Sequence, residues 1–377
     1  MMMRQNCKVL NDLKAVTAMV VVHIALTIVN ILYKLAANQD LNLRVLVAYR
    51  WIFSTAFLIP LALIVERKKR PKLTWMVVFQ ACLCGFFGGA VTQNLYVESI
   101  ALTSATYVSA MSNLLPALTL ILALSFRMEK LNLKTTIGKA KLIGTIIVVG
   151  GAMVLSFYKG LEIKFWSMGT HLVKQNPLQN SQSNAHENYS IGSLMALCSI
   201  ISYAVWLIVQ TKMSKRYPCP YSSAALMSIT AAVQCVVFSL SMERNWSEWK
   251  LHWNLMLLIA VYSGIMISGV VVIVIAWCVQ VRDPVFVANF NPLSLLLTAL
   301  VESTFLHKNL HIGTILGAGL IVFGLYMVLW GKANELKLKL AQSTSLQVHT
   351  IEVVTQADHH TSKEHSDINK LQSEAKT

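Results

Sequence analysis

Two apolar runs of the sequence each contain an asparagine and a proline, which are uncommon inside helices surrounded by hydrocarbon. The first run, SNLLPALTLIL, holds Asn113 and Pro116. The second, FNPLSLLLTAL, holds Asn291 and Pro292, and Asn289 stands just before it. A proline removes one backbone donor and frees the carbonyl one turn earlier, at a cost of about 3 kcal/mol in an ordinary helix. Amide side chains beside such freed carbonyls are suited to binding a small polar substrate.

The freed carbonyls would belong to Ser112 and Ala288, each one turn before a proline. Irregular backbone of this kind is tolerated inside a membrane where it is buried in protein or lines a watery cavity. The alternative is that the prolines kink their helices for packing and that the asparagines hydrogen-bond a neighbouring helix. We favour packing for the prolines themselves, whereas both alternatives stay open for the asparagines.

Membrane-spanning helices must position these residues. Apolar residues make up 55% of the 377-residue chain and charged residues only 13%. Ten apolar stretches are each roughly 20 residues long, enough to cross a hydrocarbon layer of about 30 Å as a helix. We therefore predict an all-α polytopic membrane protein. The stretches lie at about 15–33, 45–65, 74–95, 102–126, 139–158, 190–211, 221–242, 254–279, 284–306 and 311–330.

The chain also repeats itself. Pro116 and Pro292 stand about 176 residues apart, and Gly144 corresponds to Gly319 at nearly the same offset. Each repeat holds five spans, and this odd number forces the second repeat to insert upside down. Inverted repeats are typical of secondary transporters, whose sites lie near mid-membrane at interrupted helices. The predicted divisions are a cytosolic N-terminus (1–14), a first repeat (15–160), a non-cytosolic linker (161–189), a second repeat (190–332) and a disordered cytosolic tail (333–377).

The net charge of +15 is distributed in a way that argues against a nucleic-acid partner. About 20 Lys and Arg fall on the side of the bundle that holds the N-terminus, and about 8 fall on the other side. This bias is the positive-inside pattern, so both termini are predicted to face the cytosol. The sequons at Asn188 and Asn245 then lie in non-cytosolic loops, where glycan can be attached.

Two further spans supply candidates for a substrate cavity. In span six, Tyr203, Trp206 and Gln210 lie on one helical face, and Gln210 is near the cytosolic end, where it would serve a gate. In span one, His23 and Asn30 share a face. Two aromatic rings followed by an amide suit a zwitterion or an indole ring. The alternatives are packing or interface anchoring for the aromatic residues and a bond to a neighbouring carbonyl for the histidine.

Two opposite charges lie well inside the predicted hydrocarbon. Arg50 in span two lies roughly 7 Å below the outer surface, and Glu302 in span nine lies roughly 6 Å below it, at 1.5 Å per residue. A pair between them would help to close an outer gate. The alternative is that each side chain snorkels to the outer headgroups.

Five stretches of the sequence carry a resemblance to a known family. They are ERKKRPKL (66–73), TSATYVSAMSNLLPALTLILA (103–123), RMEKLNL (127–133), VFVANFNPLSLLL (285–297) and GLYMVLWGK (324–332). The chain resembles the plant walls-are-thin-related proteins, EamA-type members of the drug/metabolite transporter superfamily, also called "usually multiple acids move in and out" transporters. The resemblance implies ten transmembrane helices as two inverted five-helix EamA repeats. It also implies transport of amino acids or related small metabolites such as auxin.

The sequence therefore predicts a secondary transporter of such metabolites. His23 is the one side chain at depth in a predicted span that could carry a proton cycle, because Glu98 and Glu129 fall in predicted loops, Asp283 lies at the inner edge and Glu302 lies near the outer surface. We therefore expect a bidirectional facilitator without proton coupling. The first alternative is a nucleotide-sugar or phosphate-sugar exchanger of the same superfamily. It would need several buried cations, and only Arg50 lies at the depth of a predicted span. The second alternative is a membrane protein that transports nothing.

No catalytic or cofactor-binding constellation is recognisable in the sequence. HExxH and GxSxG are missing, and the seven cysteines are scattered, so we predict neither an enzyme, a metal site nor a cofactor. The expected partners are a small-molecule substrate and the lipid bilayer, and a homodimer is compatible with the sequence. The plasma membrane and the vacuolar membrane are both compatible with it as well.

Removal of glycan tests the predicted topology. Deglycosylation of protein from a eukaryotic host should shift its electrophoretic band, because the sequons lie on the side where glycan is added. Asn188→Gln should abolish part of that shift, since Asn245 remains. Reporter tags that place residues 159–189 in the cytosol would contradict the topology.

Overall fold

The structure of the protein is a computed structural model that describes residues 14–29, 32, 43–68, 70–103, 105–129, 134–158, 162–163, 185–242, 246, 249, 255–305, 310–335 and 338. Within these residues the chain is mostly helical, and two short strands, β1 (Glu162–Ile163) and β2 (Leu310–His311), pair antiparallel. Eight helices are long and apolar enough to cross a membrane, and two shorter apolar helices cover Lys14–Val29 and Pro284–Thr298. The predicted all-α polytopic fold is confirmed.

The helices follow the chain in two sets, one for each predicted repeat. The first set comprises α1 (Lys14–Val29), α2 (Leu43–Val65), α3 (Trp75–Cys84), π1 (Gly85–Val91), α4 (Thr92–Leu102), α5 (Ala105–Ser112), α6 (Leu115–Ser125) and α7 (Thr136–Phe157). The second set comprises α8 (Ala185–Arg216), α9 (Pro220–Met242), α10 (Leu255–Tyr262), π2 (Ser263–Val271), α11 (Val272–Val281), α12 (Pro284–Asn289), α13 (Asn291–Phe305) and α14 (Ile312–Glu335).

Several helices extend beyond the apolar stretches that predict them. α8 begins at Ala185 inside the predicted linker, and α14 continues to Glu335 inside the predicted tail. Glu98 lies in α4 and not in a loop. Hydropathy detects only the part of a helix that lies in hydrocarbon, so polar turns at helix ends escape it. These three findings correct the sequence-based boundaries.

The third helix of each repeat contains a π-helical segment at the equivalent place, which the sequence analysis does not predict. π-helical turns are rare and often mark functional sites. A Cβ on Gly85 would lie 2.7 Å from the backbone nitrogen of Ala231 in α9. A Cβ on Gly264 would lie 2.7 Å from the carbonyl oxygen of Arg50 in α2. A side chain does not fit at either contact, so matching glycines let both third helices approach the opposite repeat closely.

The last helices of the two repeats, α7 and α14, pack through glycines that make reciprocal contacts. A Cβ on Gly144 would lie 2.9 Å from the Gly324 carbonyl oxygen, and one on Gly324 would lie 2.8 Å from the Gly144 carbonyl oxygen. Gly151 and Gly317 face each other in the same way. The helices therefore run antiparallel, as inverted repeats require, and Gly144 is equivalent to Gly317. The sequence-based match of Gly144 with Gly319 needs correction by two residues, because Gly319 faces open space.

Equivalent helix pairs in the two repeats are packed differently. Two hydroxyl groups tie α8 to α4, because Ser99 Oγ donates to the Gly192 carbonyl and Ser199 Oγ donates to the Thr92 carbonyl, both at 2.8 Å. The corresponding pair, α1 with π2 and α11, encloses an apolar groove of about 420 Å³. The groove therefore separates part of α1 from π2 and α11, whereas the hydrogen bonds hold α8 against α4.

Two glycines of α14 test the packing between α7 and α14. Gly317→Ala should lower the unfolding temperature of the purified protein, because the new Cβ would lie 2.5 Å from the Leu155 Cβ and overpacking costs about 1–3 kcal/mol. Gly319→Ala is the matched control, since its Cβ would meet no atom within 4 Å. Alanine also favours a helix over glycine by about 1 kcal/mol, so this variant should be as stable as the parent or more stable. Equal losses in both variants would contradict the glycine contacts.

Candidate functional site

The fourth span is broken where the sequence carries Asn113 and Pro116. α5 ends at Ser112 and α6 begins at Leu115, so Asn113 lies in the turn between them. Pro116 occupies the first turn of α6, where the missing N–H group would have no helical partner anyway. Asn113 is buried, and its Nδ2 donates to the Ser156 hydroxyl of α7 at 3.3 Å. This contact is one of helix packing, the alternative considered for Asn113.

The ninth span is broken in the same way at Phe290. α12 ends at Asn289 and α13 begins at Asn291, with Pro292 in the first turn of α13. Asn289 is buried, and its Nδ2 donates to the Val285 carbonyl of its own helix at 2.8 Å. Phe290 is also buried, so this break lies within the core of the bundle.

A hydrogen bond joins the two breaks. Asn291 Nδ2 donates to the Ser112 carbonyl oxygen at 3.1 Å. Pro116 deprives that carbonyl of its usual helical donor, so an amide of the second repeat satisfies a backbone group of the first. Leu115 stands about 176 residues before Asn291, at the equivalent position of the first repeat. Because leucine has no donor, the symmetric hydrogen bond cannot form.

A small cavity lies beside this hydrogen bond. Its volume is about 10 Å³, at the lower limit of the space that one water molecule needs. The lining residues come from α1, α6, α8, α11, α12 and α13, and therefore from both repeats. The cavity is lined by Met19, Val22, His23, Leu26, Leu115, Tyr203, Ile275, Val287, Ala288 and Asn291.

His23 is a lining residue whose capacity for hydrogen bonds is unused. It is buried, and neither ring nitrogen has a partner within the described part of the chain. The imidazole lies nearly parallel to the Phe290 ring, with centroids 6.4 Å apart. One turn later, Thr27 Oγ1 donates to the Ser294 carbonyl at 3.4 Å and so links α1 to α13. Buried polar atoms are nearly always hydrogen-bonded in folded proteins, so two ring nitrogens without a partner are unusual for a buried side chain.

The residues on the aromatic face of α8 have different surroundings: one lines the cavity, and the others pack against neighbouring helices. Tyr203 lines the cavity and meets the Trp206 ring edge-on, with centroids 4.9 Å apart. Trp206 does not line the cavity but packs against π1, where a Cβ on Gly88 would lie 2.6 Å from the indole Cγ. Gln210 is fully buried, and its Nε2 donates to the Ser223 hydroxyl of α9 at 2.9 Å. Of this predicted group, only Tyr203 reaches the cavity.

Arg50 lies between the two third helices. Its Nε donates to the Ser268 hydroxyl of π2 at 2.6 Å, and its Nη1 donates to Gln93 Oε1 of α4 at 3.2 Å. Arg50 thereby connects π2 of the second repeat with α4 of the first, next to π1. Glu302 lies in α13, but its side chain is outside the described residues, so the pair with Arg50 stays a prediction. Asn30, Asn245 and the side chain of Asn188 are also outside the described residues.

The sequence analysis misses a group of buried charges at the ends of α6, α7, α12 and α14. Lys332 Nζ lies 3.0 Å from Glu129 Oε1 and 2.6 Å from Asp283 Oδ2. Lys141 Nζ lies 3.0 Å from the same Glu129 oxygen and also pairs with Glu335. Nothing in the spacing of these residues predicts that they meet. Their contacts depend on how the two repeats are docked.

The two halves of the chain match one family separately. Residues 13–157 and residues 190–330 each match the EamA-like transporter family. The chain belongs to this family. The WAT1-related protein At1g68170 of Arabidopsis thaliana is 42% identical over 88% of this chain and 93% of its own length. The WAT1-related protein At1g25270 of the same plant is 41% identical over 90% of this chain and 94% of its own length. The resemblance to the walls-are-thin-related proteins is confirmed.

The fold of this EamA protein also occurs in a solved crystal structure of another protein. That structure aligns with 83% of this chain and 98% of its own, with a TM-score of 0.58 and 17% sequence identity. At this identity the likeness concerns the fold alone. In the described part of the EamA protein, no group of three or more His, Cys, Asp or Glu side chains is arranged to hold a metal ion.

Two asparagines of the second break test the hydrogen bond between the repeats. Asn291→Leu should lower the unfolding temperature, because it leaves the partly buried Ser112 carbonyl without its donor, at a cost of about 1–3 kcal/mol. Asn289→Leu is the matched control, because the Asn289 amide donates only within its own helix. Its stability should stay close to that of the parent. A loss in Asn289→Leu as large as in Asn291→Leu would contradict a special role for the contact between repeats.

Proposed function

We propose that this EamA protein is a secondary transporter that moves amino acids or related small metabolites such as auxin through the central cavity. The observation that supports the proposal most directly concerns the hydrogen bonding of the His23 side chain. Both of its ring nitrogens are buried without a partner in the described residues, and it lines the cavity together with Tyr203 and Asn291. A substrate with polar groups at one end would supply the missing hydrogen bonds. The broken helices on either side are typical of transporter sites.

The lining of the cavity supports the proposed substrate class. Its polar side chains are an imidazole, a phenol and an amide, and none of the ten lining residues is charged. Such a site suits a small zwitterion or an aromatic metabolite, with an apolar body and few polar groups. Sugar phosphates and nucleotide sugars call for Arg or Lys beside their phosphates. Arg50 does not line the cavity and donates to Ser268 and Gln93, so the exchanger is the less favoured alternative.

We also propose that transport is facilitated diffusion in either direction. Proton-driven carriers use titratable side chains deep in the membrane to couple proton and substrate movement. No carboxylate is present among the ten residues that line the cavity, and His23 is the only imidazole there. Net flux would then follow the substrate gradient alone.

The charge bias of the loops supports a proposed topology in which both termini face the cytosol. The multi-pass protein would act in the plasma membrane or the vacuolar membrane, as a carrier and not as an enzyme. Its partners would be the substrate and the surrounding lipid, and a homodimer is compatible with this arrangement.

Uptake into liposomes that contain the pure protein tests the substrate class. Labelled amino acids or auxin should enter faster than into empty liposomes. His23→Leu should reduce this uptake about tenfold or more, because it removes the hydrogen-bonding groups of the site. Ile24→Leu is the matched control, since the adjacent Ile24 is exposed on the outside of the bundle. Normal uptake by His23→Leu, or uptake of sugar phosphates instead, would overturn the proposal.

An imposed pH difference tests the proposed mechanism of transport. With equal substrate on both sides, a facilitator should show no net accumulation, because the substrate gradient is zero. The same liposomes should still exchange labelled for unlabelled substrate, which shows that the protein is active. Uphill uptake that disappears with a protonophore would contradict facilitated diffusion.

A further inference from the structure

The buried charges at one end of the bundle form a chain of alternating sign. Its order is Glu335, Lys141, Glu129, Lys332, Asp283, and each neighbour in this order is an ion-pair partner. The side chains of Glu129, Lys141 and Lys332 are each at most 4% exposed. Glu129 and Lys141 belong to the first repeat and the other three to the second. The chain of charges therefore fastens the two repeats to each other.

A particular turn at the end of α6 folds Glu129 back into the bundle. Arg127 has a φ of 54°, in the left-handed region that usually holds glycine at the end of a helix. Met128 N–H donates to the Ala123 carbonyl at 2.8 Å, and Arg127 N–H donates to the Leu124 carbonyl at 3.0 Å. These two bonds define a Schellman motif. The backbone reverses its direction there. Glu129 therefore returns to the level of the last turn of α6 and contacts both Lys141 and Lys332.

Asp283 places the chain of charges directly beneath the central cavity. It is the residue that precedes α12, and Val287 and Ala288 of the same helix line the cavity. Val287 stands four positions after Asp283, which is about 6 Å along a helix. One turn of α12 thus lies between the charges and the cavity. The positive-inside pattern assigns this end of the bundle to the cytosol.

The physical chemistry of buried ion pairs makes this cluster a two-state element. Charges removed from water are tolerated only while they stay paired, and removal of one partner leaves the others buried and uncompensated. If the helix ends separate, water also reaches Glu129, Lys141 and Lys332, the three groups that are at most 4% exposed, and hydrates them. The cluster is therefore satisfied when it is paired and closed, or when it is hydrated and open, but not in between.

The opposite end of the bundle shows a different arrangement among the described residues. Arg44 Nη2 lies 2.5 Å from Glu98 Oε2, but both side chains are about one third exposed, at 33% and 31%. Arg44 lies in α2 and Glu98 in α4, so this pair stays within the first repeat. Exposed pairs contribute little to stability. This ion pair does not fasten the two repeats to each other.

We infer that Glu129, Lys141, Lys332 and Asp283 form the cytosolic gate of the transport path, with Glu129 as its central residue. The inference rests on the proposed transport function and on the proposed orientation. Closing the gate pairs the charges across the repeats and seals the cavity below α12. Opening it separates α12 and α14 from α6 and α7 and admits water to the cavity.

Thiol labelling in lipid nanodiscs tests the gate without any substrate. A full-length chain with its native cysteines replaced receives one reporter cysteine, Val287→Cys on the cytosolic side of the second break or Met111→Cys at the equivalent position of the first. Glu129→Gln should raise the rate at which a charged, membrane-impermeant thiol reagent modifies the Val287 reporter about tenfold. The rate at the Met111 reporter should not rise, because the shift toward the cytosol-open state leaves the other side closed.

Two further variants complete the test. Glu98→Gln is the matched control, because it removes a carboxylate from an ion pair within one repeat and should leave both labelling rates unchanged. Asp283→Asn removes the most exposed charge of the gate, with a side-chain exposure of 43%, and should raise labelling at Val287 even if Glu129→Gln fails to fold. An equal rise at both reporters would show general loosening, and no rise at Val287 would mean no gate; either result overturns the inference. Failed amino-acid uptake with the expected labelling would overturn the proposed substrate but not the gate.

Discussion

The hydrogen bond from Asn291 to the Ser112 carbonyl is the contact on which the centre of the bundle depends. Pro116 frees this carbonyl where no bulk water can replace the lost helical donor. Because the new donor comes from the other repeat, separation of the two broken helices would take this donor away from a partly buried carbonyl. A polar substrate or water that enters the cavity would supply another donor. Occupation of the cavity and separation of the repeats are thereby linked in the proposed transport cycle.

Close approach of backbones is the second constraint, and glycine meets it at equivalent places in both repeats. Gly85 and Gly264 let the two π-helical regions contact α9 and α2, and Gly151 and Gly317 bring α7 against α14. At each of these contacts, a side chain in place of the glycine would collide with backbone atoms of the neighbouring helix. The groove beside α1 makes the packing of the first helix of the first repeat differ from that of the second repeat. The helix that carries His23 lines this groove.

Polar character is distributed differently at the centre and at the ends of the bundle. Neutral groups line the cavity, whereas buried charges fasten the repeats at the predicted cytosolic end. Neutral groups can exchange one hydrogen bond for another at small net cost. Buried ion pairs change state only when water reaches them. This division suits a carrier that binds its substrate weakly in the middle and closes firmly at one end.

The sequence by itself determines the membrane-spanning class, the internal repeat and the two helix breaks, because hydropathy, an offset between matching segments and proline chemistry are all local properties. It also identifies His23, Tyr203 and Asn291, which the structure brings to one cavity. Only the tertiary structure decides that Trp206 and Gln210 pack against other helices, that Asn291 bonds to Ser112, and that Glu129 is buried between two lysines. Each of these contacts joins residues far apart in the chain or in different repeats. Their partners are set by how the repeats dock, and no local pattern of residues encodes that.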